Sequence, residues 1–171
     1  MKVRILAFLA IAAVPLMGFD CVNDPFTIAL NLKPFNDTYT VNAGGNGSYG
    51  GSVTISPSSL YDDSYTLTGA SVYDIRVSTA GPNLGTCNGT VNVNGILLFS
   101  YSGTWTAFNT PQSLLTSRLI TRNQPGINEL ISAVVQGRPV VLVGAGTVTT
   151  QPVPTGCTVT VSAFVQAYGH L

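Results

Sequence analysis

The chain has 171 residues, of which only 8% are charged, with seven basic and seven acidic side chains and a single histidine. Typical soluble domains carry about 25% charged residues, so the surface of this one is built from Ser, Thr, Asn and Gly. No basic patch is available to grip phosphates, and the counterion release that drives nucleic-acid binding has little to act on, which excludes a nucleic-acid partner.

The N-terminus opens Met1-Lys2-Val3-Arg4 and then runs uncharged from Ile5 to Phe19. A basic start followed by a short apolar run is the build of an export signal. The run contains Pro15, stops at Asp20, and falls short of the roughly 20 apolar residues a spanning helix needs. Residues 1–20 are therefore expected to be an export signal, and residues 21–171 a single domain. Removing Lys2, Arg4 and Asp20 leaves five basic and six acidic residues, a net charge of −1.

The segment Leu16-Met17-Gly18-Phe19-Asp20-Cys21 resembles the lipobox of bacterial lipoproteins, although Phe19 and Asp20 replace the small residues usual there. The resemblance covers the first 21 residues only. It implies that Cys21 becomes an acylated N-terminus holding the protein to a membrane, and that Val22 after it directs the protein to an outer membrane. Plain secretion with cleavage near Gly18 is the alternative.

Beyond Cys21 the periodicity is that of strands. "FTIALNL" puts Phe26, Ile28, Leu30 and Leu32 on one face, as a half-buried strand requires. The Gly-Asn-Ser-rich stretch Val41 to Gly51 reads as a mobile loop. "GSVTIS" around Val53 and Ile55 is a second strand. "SVYDIRVS", with Tyr73, Ile75 and Val77 inward, is a third. In "GTVNVNGILLFSYSG" the pair Asn94-Gly95 splits two alternating runs, which is the strongest short hairpin signal because both turn residues must accept positive φ. "TPQSLLTSRLITRN" fits either a strand or an irregular crossover.

"QPGINELISAVVQGRP" breaks the pattern. Ile127, Leu130, Ile131, Val134 and Val135 follow the i, i+3, i+4 spacing of an amphipathic helix. Pro125 suits its first turn, Gly137 the left-handed position after it, and Pro139 prevents continuation. One helix near residues 125–136 is expected, capping an open end. "RPVVLVGAGTVTT" and "CTVTVSAFVQAY" then read as a final strand pair across "QPVPTG". Together these elements predict an all-β chain: one Ig-like or related antiparallel β-sandwich with a single helix.

The chemical inventory is poor. His170 stands next to last, where chains usually fray, and lacks a base-orienting partner in the sequence. The dispersed cysteines offer no local pair for zinc. "VGAGTV" lacks the helix that a dinucleotide loop requires, so Gly144 and Gly146 are expected at a bulge or a close backbone approach. Asp62 and Asp63, with Asp74, read as solvated turn aspartates rather than calcium ligands. Trp105 is expected in the core. No catalytic residue, cofactor or metal site is expected, and the chain is read as a non-enzyme.

A partner-binding role falls to the loop carrying Tyr49, Tyr61, Asp62, Asp63 and Tyr65, facing an unknown protein or glycan. The alternative is a structural subunit self-associating through open strand edges. Three cysteines cannot all pair within one chain. Cys87 and Cys157, each following a Gly-containing turn and opening an alternating strand, are expected to form a disulfide, which leaves Cys21 for the lipid.

Overall fold

A computed structural model describes residues 28–56, Ser59, Tyr61 and residues 65–170. Two five-stranded antiparallel sheets pack face to face. The first holds β1 (Ile28–Asn31), β2 (Phe35–Thr40), β4 (Thr66–Ala80), β7 (Gln112–Ser113) and β10 (Thr158–His170). The second holds β3 (Ser48–Ile55), β5 (Thr86–Val93), β6 (Ile96–Thr104), β8 (Ile120–Arg122) and β9 (Val140–Val148). The helix α1 spans Gln124–Val135.

The strands are laid out as β2-β10-β4-β7 in one sheet and β3-β9-β5-β6 in the other, with β1 beside β2 on the same edge of β10 and β8 on the far side of β6. This is the order of a jelly roll, in which the chain is wound as one long folded ribbon. The sandwich is as the alternation requires; its winding differs from the immunoglobulin order. β9 and β10 are not a hairpin. Each already has strands on both sides, β9 between β3 and β5 and β10 between β4 and β1/β2, so the segment between them crosses from sheet to sheet.

The β5–β6 hairpin turns at Asn94 and Gly95, with φ of 49° and 84°, as the Asn-Gly signal demands. The helix follows its punctuation closely. The Asn123 side chain caps its start by accepting from Gly126 N–H, Pro125 lies in its first turn, and Gly137 takes φ of 63° after its end. Ile127, Leu130, Ala133 and Val134 are buried against β4 of one sheet and β6, β5 and β9 of the other, so the helix closes an end of the sandwich. Among the described residues no helix is long and apolar enough to cross a bilayer.

The stretch from Val41 to Gly51 is only partly a loop, because Ser48 to Gly51 belong to β3. Residues 110–123 form the short strands β7 and β8 joined by turns. His170, expected at a frayed end, is paired with Thr66 in a central strand.

Candidate functional site

The inner face of the second sheet is a packing device. Tyr49, Gly146, Gly89 and Tyr101 face one another in register across β3, β9, β5 and β6. The two tyrosine rings lean inward over the two glycines, and their hydroxyls meet at 2.9 Å. A side chain at Gly146 would collide with the Tyr49 ring, and one at Gly89 with Tyr101. Beside this row, Tyr39 reaches across from β2 and lies against Gly144 and Gly51. Gly144 and Gly146 of "VGAGTV" thus sit in an unbulged strand where rings need their space.

Tyr49, expected on a binding loop, is buried in this row. Its hydroxyl donates to Asn88 O at 2.8 Å and lies 3.2 Å from Cys87 Sγ. Burial pushes the ionisation of Tyr39, Tyr49 and Tyr101 above the ordinary tyrosine range, the neighbouring phenol and thiol adding to the effect at Tyr49. Tyr61 packs against the core, with its hydroxyl donating to Val134 O in the helix at 3.5 Å. Tyr65 is half-buried just ahead of β4. Asp62, Asp63 and Cys21 lie outside the described residues. The expected tyrosine loop is therefore divided, its first member in the core and its second held by the helix.

Cys87 and Cys157 are free, buried thiols. The expected disulfide is not formed, because the two occupy separate packing sites: Cys87 on β5 against Tyr49, Cys157 ahead of β10 in the other sheet against Gly81. Burial raises the ionisation of both. Trp105 is fully buried, its backbone N–H donating to Gly85 O and its carbonyl accepting from Thr79. Among the described residues no three His, Cys, Asp or Glu side chains gather as metal ligands would.

The side chains left over for recognition collect on one edge. β10 contributes 13 residues to its ladder with β4, and β4 answers with 15. One of the two extra residues is Tyr73, at a β-bulge between Val72 and Asp74. A bulge shifts the alternation by one residue. Tyr73, expected inward, is turned out and 45% exposed, whereas Ile75 and Val77 are buried as expected. Asp74, expected as a solvated turn aspartate, lies within β4 on the outer face by plain alternation with Ile75, and its carboxylate is covered: it accepts from Arg76 Nε and Ser113 Oγ, each at 2.7 Å. The Arg76 guanidinium lies 4.7 Å from the centre of the Phe164 ring, and Phe164 is 5.9 Å from Tyr73. Tyr73, Phe164 and Arg76 form a small outward platform pinned by a buried carboxylate.

Ser113 ties this platform to its neighbour. Immediately after it the chain forms a cleft of about 520 Å³ lined by Leu114, Leu115, Arg118, Ile120, Thr121 and Arg122. Leu115 is 71% exposed, the most exposed of the large apolar side chains described. Arg76 and Arg138 face the carboxylates of Asp74 and Glu129. Arg118 and Arg122 make no ion pair among the described residues, and both are exposed at the cleft. None of these residues stood out in the sequence as a site, since the bulge at Tyr73 and the meeting of 114–115 with 118–122 are tertiary events. The available signal was two arginines and three leucines within "SLLTSRLITR", in a chain otherwise poor in charge.

No protein-family model matches this chain, and no curated protein matches it in sequence. Solved structures similar to it include a chain of desmodium yellow mottle tymovirus, at 14% identity and a TM-score of 0.36, with 100% of this chain and 97% of that chain covered. A chain from the structure of turnip yellow mosaic virus at 100 K shares 20% identity at a TM-score of 0.34, covering 86% of this chain and 96% of that one. Another turnip yellow mosaic virus chain shares 17% identity at a TM-score of 0.32, covering 100% and 91%. At such identities and scores the functional reading rests on the side chains described above.

Proposed function

We propose that this domain is a non-enzymatic binding module, exported and held to a membrane by a lipid on Cys21, that meets its partner with the β4–β7–β8 edge. The observation that carries the reading is a division of side chains. Tyr39, Tyr49, Tyr101, Trp105 and both described thiols are consumed in the core, while Tyr73, Leu115, Arg118 and Arg122 are exposed around one platform and cleft. Exposed apolar and aromatic groups beside cations that make no ion pair among the described residues are the composition of a recognition surface rather than of a solvated face.

The test uses the full-length protein in detergent and envelope proteins of its source, extracted in the same detergent and immobilised, so that retention reports the edge and not the lipid. Tyr73→Ala combined with Leu115→Ser is expected to leave the circular dichroism unchanged and to abolish retention on the immobilised envelope proteins. Thr38→Ala, on the opposite edge of the same sheet, is expected to retain binding. Retention of the double variant at the wild-type level would overturn the assignment of the edge. For the anchor, intact mass of detergent-extracted protein is expected to show a chain that starts at Cys21 and is heavier by a lipid; an unmodified chain beginning at Phe19 would overturn it.

A second reading, a self-associating structural subunit, is favoured by one observation. β3 pairs with β9 alone, which leaves its other edge without a strand among the described residues, and open edges are templates for pairing between chains. Size-exclusion chromatography with light scattering separates the two readings: a mass that grows with concentration supports the subunit, and a constant monomer mass supports the binding module.

A further inference from the structure

The cleft at residues 114–122 has a strand edge for one wall. β8 pairs with β6 through Ile120↔Tyr101, Thr121↔Ser100 and Arg122↔Phe99. The flanking bonds run to the same side, Ser102 N–H donating to Leu119 O and Asn123 N–H donating to Leu98 O. Backbone groups alternate sides along a strand. Since residues 119, 121 and 123 address β6, the N–H and C=O groups of Ile120 and Arg122 point away from it. No strand among the described residues takes that side. Ile120, Thr121 and Arg122 are also cleft residues, so this free edge and the cleft lined by Leu114, Leu115 and Arg118 are one feature.

We infer that this slot binds an extended acidic peptide by strand addition to β8. The inference rests on the binding-module reading and names its partner chemistry. The backbone of the peptide would exchange hydrogen bonds with Ile120 and Arg122, as in other cases where a sheet edge captures an extended chain. Its carboxylates would meet Arg118 and Arg122, the two cleft cations that make no ion pair among the described residues. An apolar side chain one position away would lie against Leu115. An anionic and partly apolar partner matches the slot on three counts, whereas a neutral glycan would leave both guanidinium groups without a counter-charge. The edge presents three residues, roughly 10 Å at about 3.3 Å per residue, so a short segment suffices.

The experiment measures fluorescence anisotropy of labelled octapeptides against the full-length protein in detergent. The probes are an alternating Glu/Val peptide, its Lys/Val counterpart, and the Glu/Val peptide N-methylated at alternate amides. The Glu/Val peptide is expected to bind, more weakly as salt rises. The Lys/Val and N-methylated forms are expected not to bind. Arg118→Glu with Arg122→Glu should weaken binding about tenfold or more, while Arg118→Lys with Arg122→Lys should retain most of it. Both pairs alter exposed side chains, and circular dichroism confirms the fold.

Equal binding of the N-methylated peptide, or of polygalacturonate in competition with it, would overturn strand addition in favour of simple anion capture by the arginines. Binding of the Lys/Val peptide as tight as that of the Glu/Val peptide would overturn the inference altogether. Failure of every peptide, with envelope retention still lost in the Tyr73→Ala, Leu115→Ser protein, would remove the inference and leave the binding-module reading standing. Failure of both would remove the two together.

Discussion

Tyr49 and Tyr73 are both strand tyrosines, and they have opposite fates. Tyr49 faces Gly146 across the ladder, folds over it and hydrogen-bonds Tyr101 on the far side of the row. Tyr73 occupies a bulge, meets no glycine and stands out beside Phe164. The first region therefore has no ring left to offer a partner, and the second does. What a cross-strand neighbour permits decides whether an aromatic ring becomes core or contact surface. A glycine opposite provides a seat for the ring, and an unpaired extra residue denies it one.

The sharpest way to break this contrast is to remove a ring from the row. Tyr101→Ala deletes a buried aromatic and is expected to cost about 3–5 kcal/mol, measured by denaturant unfolding. The same truncation at Tyr73 should change stability by less than about 0.5 kcal/mol. Comparable losses at the two positions would mean that the outer platform is structural.

Alkaline unfolding tests the row as a unit. Tyr39, Tyr49 and Tyr101 ionise at higher pH in the folded chain than in the unfolded one. Above about pH 10 the unfolded chain loses protons that the folded chain keeps, so the stability these tyrosines contribute is fully present below that pH and falls as pH rises. Each buried tyrosine adds at most about 1.4 kcal/mol per pH unit to the slope. Tyr49→Phe should flatten the decline between about pH 10 and pH 12. An identical pH profile for wild type and Tyr49→Phe would remove Tyr49 as a contributor.

At neutral pH Tyr49→Phe is a gentler change. It leaves the ring over Gly146 but removes one partner from Tyr101 Oη, Cys87 Sγ and Asn88 O, and about 1 kcal/mol of destabilisation is expected. On the open edge, Leu115→Ser should fall within about 0.5 kcal/mol of wild type by the same measurement. If Leu115→Ser cost as much as Tyr49→Phe, the cleft would belong to the core and the contrast would fail.

Much of the architecture was legible because it rests on short-range physics. Alternation marked Ile75 and Val77 as inward, Asn94-Gly95 marked the hairpin, and Pro125 and Gly137 bracketed the helix within a residue or two. The misread features share one cause, dependence on a strand distant in sequence. Tyr73 points outward because β10, about 90 residues on, is shorter than its partner by two residues. Tyr49 is buried because a glycine nearly 100 residues later leaves it room. The similar local contexts of Cys87 and Cys157 suggested a bond, yet local context does not say which sheet a strand joins.

The amino-acid sequence by itself determined the class of the fold, its helix and its hairpin, since the period of apolar residues and the φ demanded at turns are properties of a few neighbouring residues. Only the tertiary structure decided the candidate site. Bulge, register and sheet membership are settled by pairing across the whole chain. They set which of several chemically equivalent tyrosines reaches the solvent and which arginines find a carboxylate among the described residues.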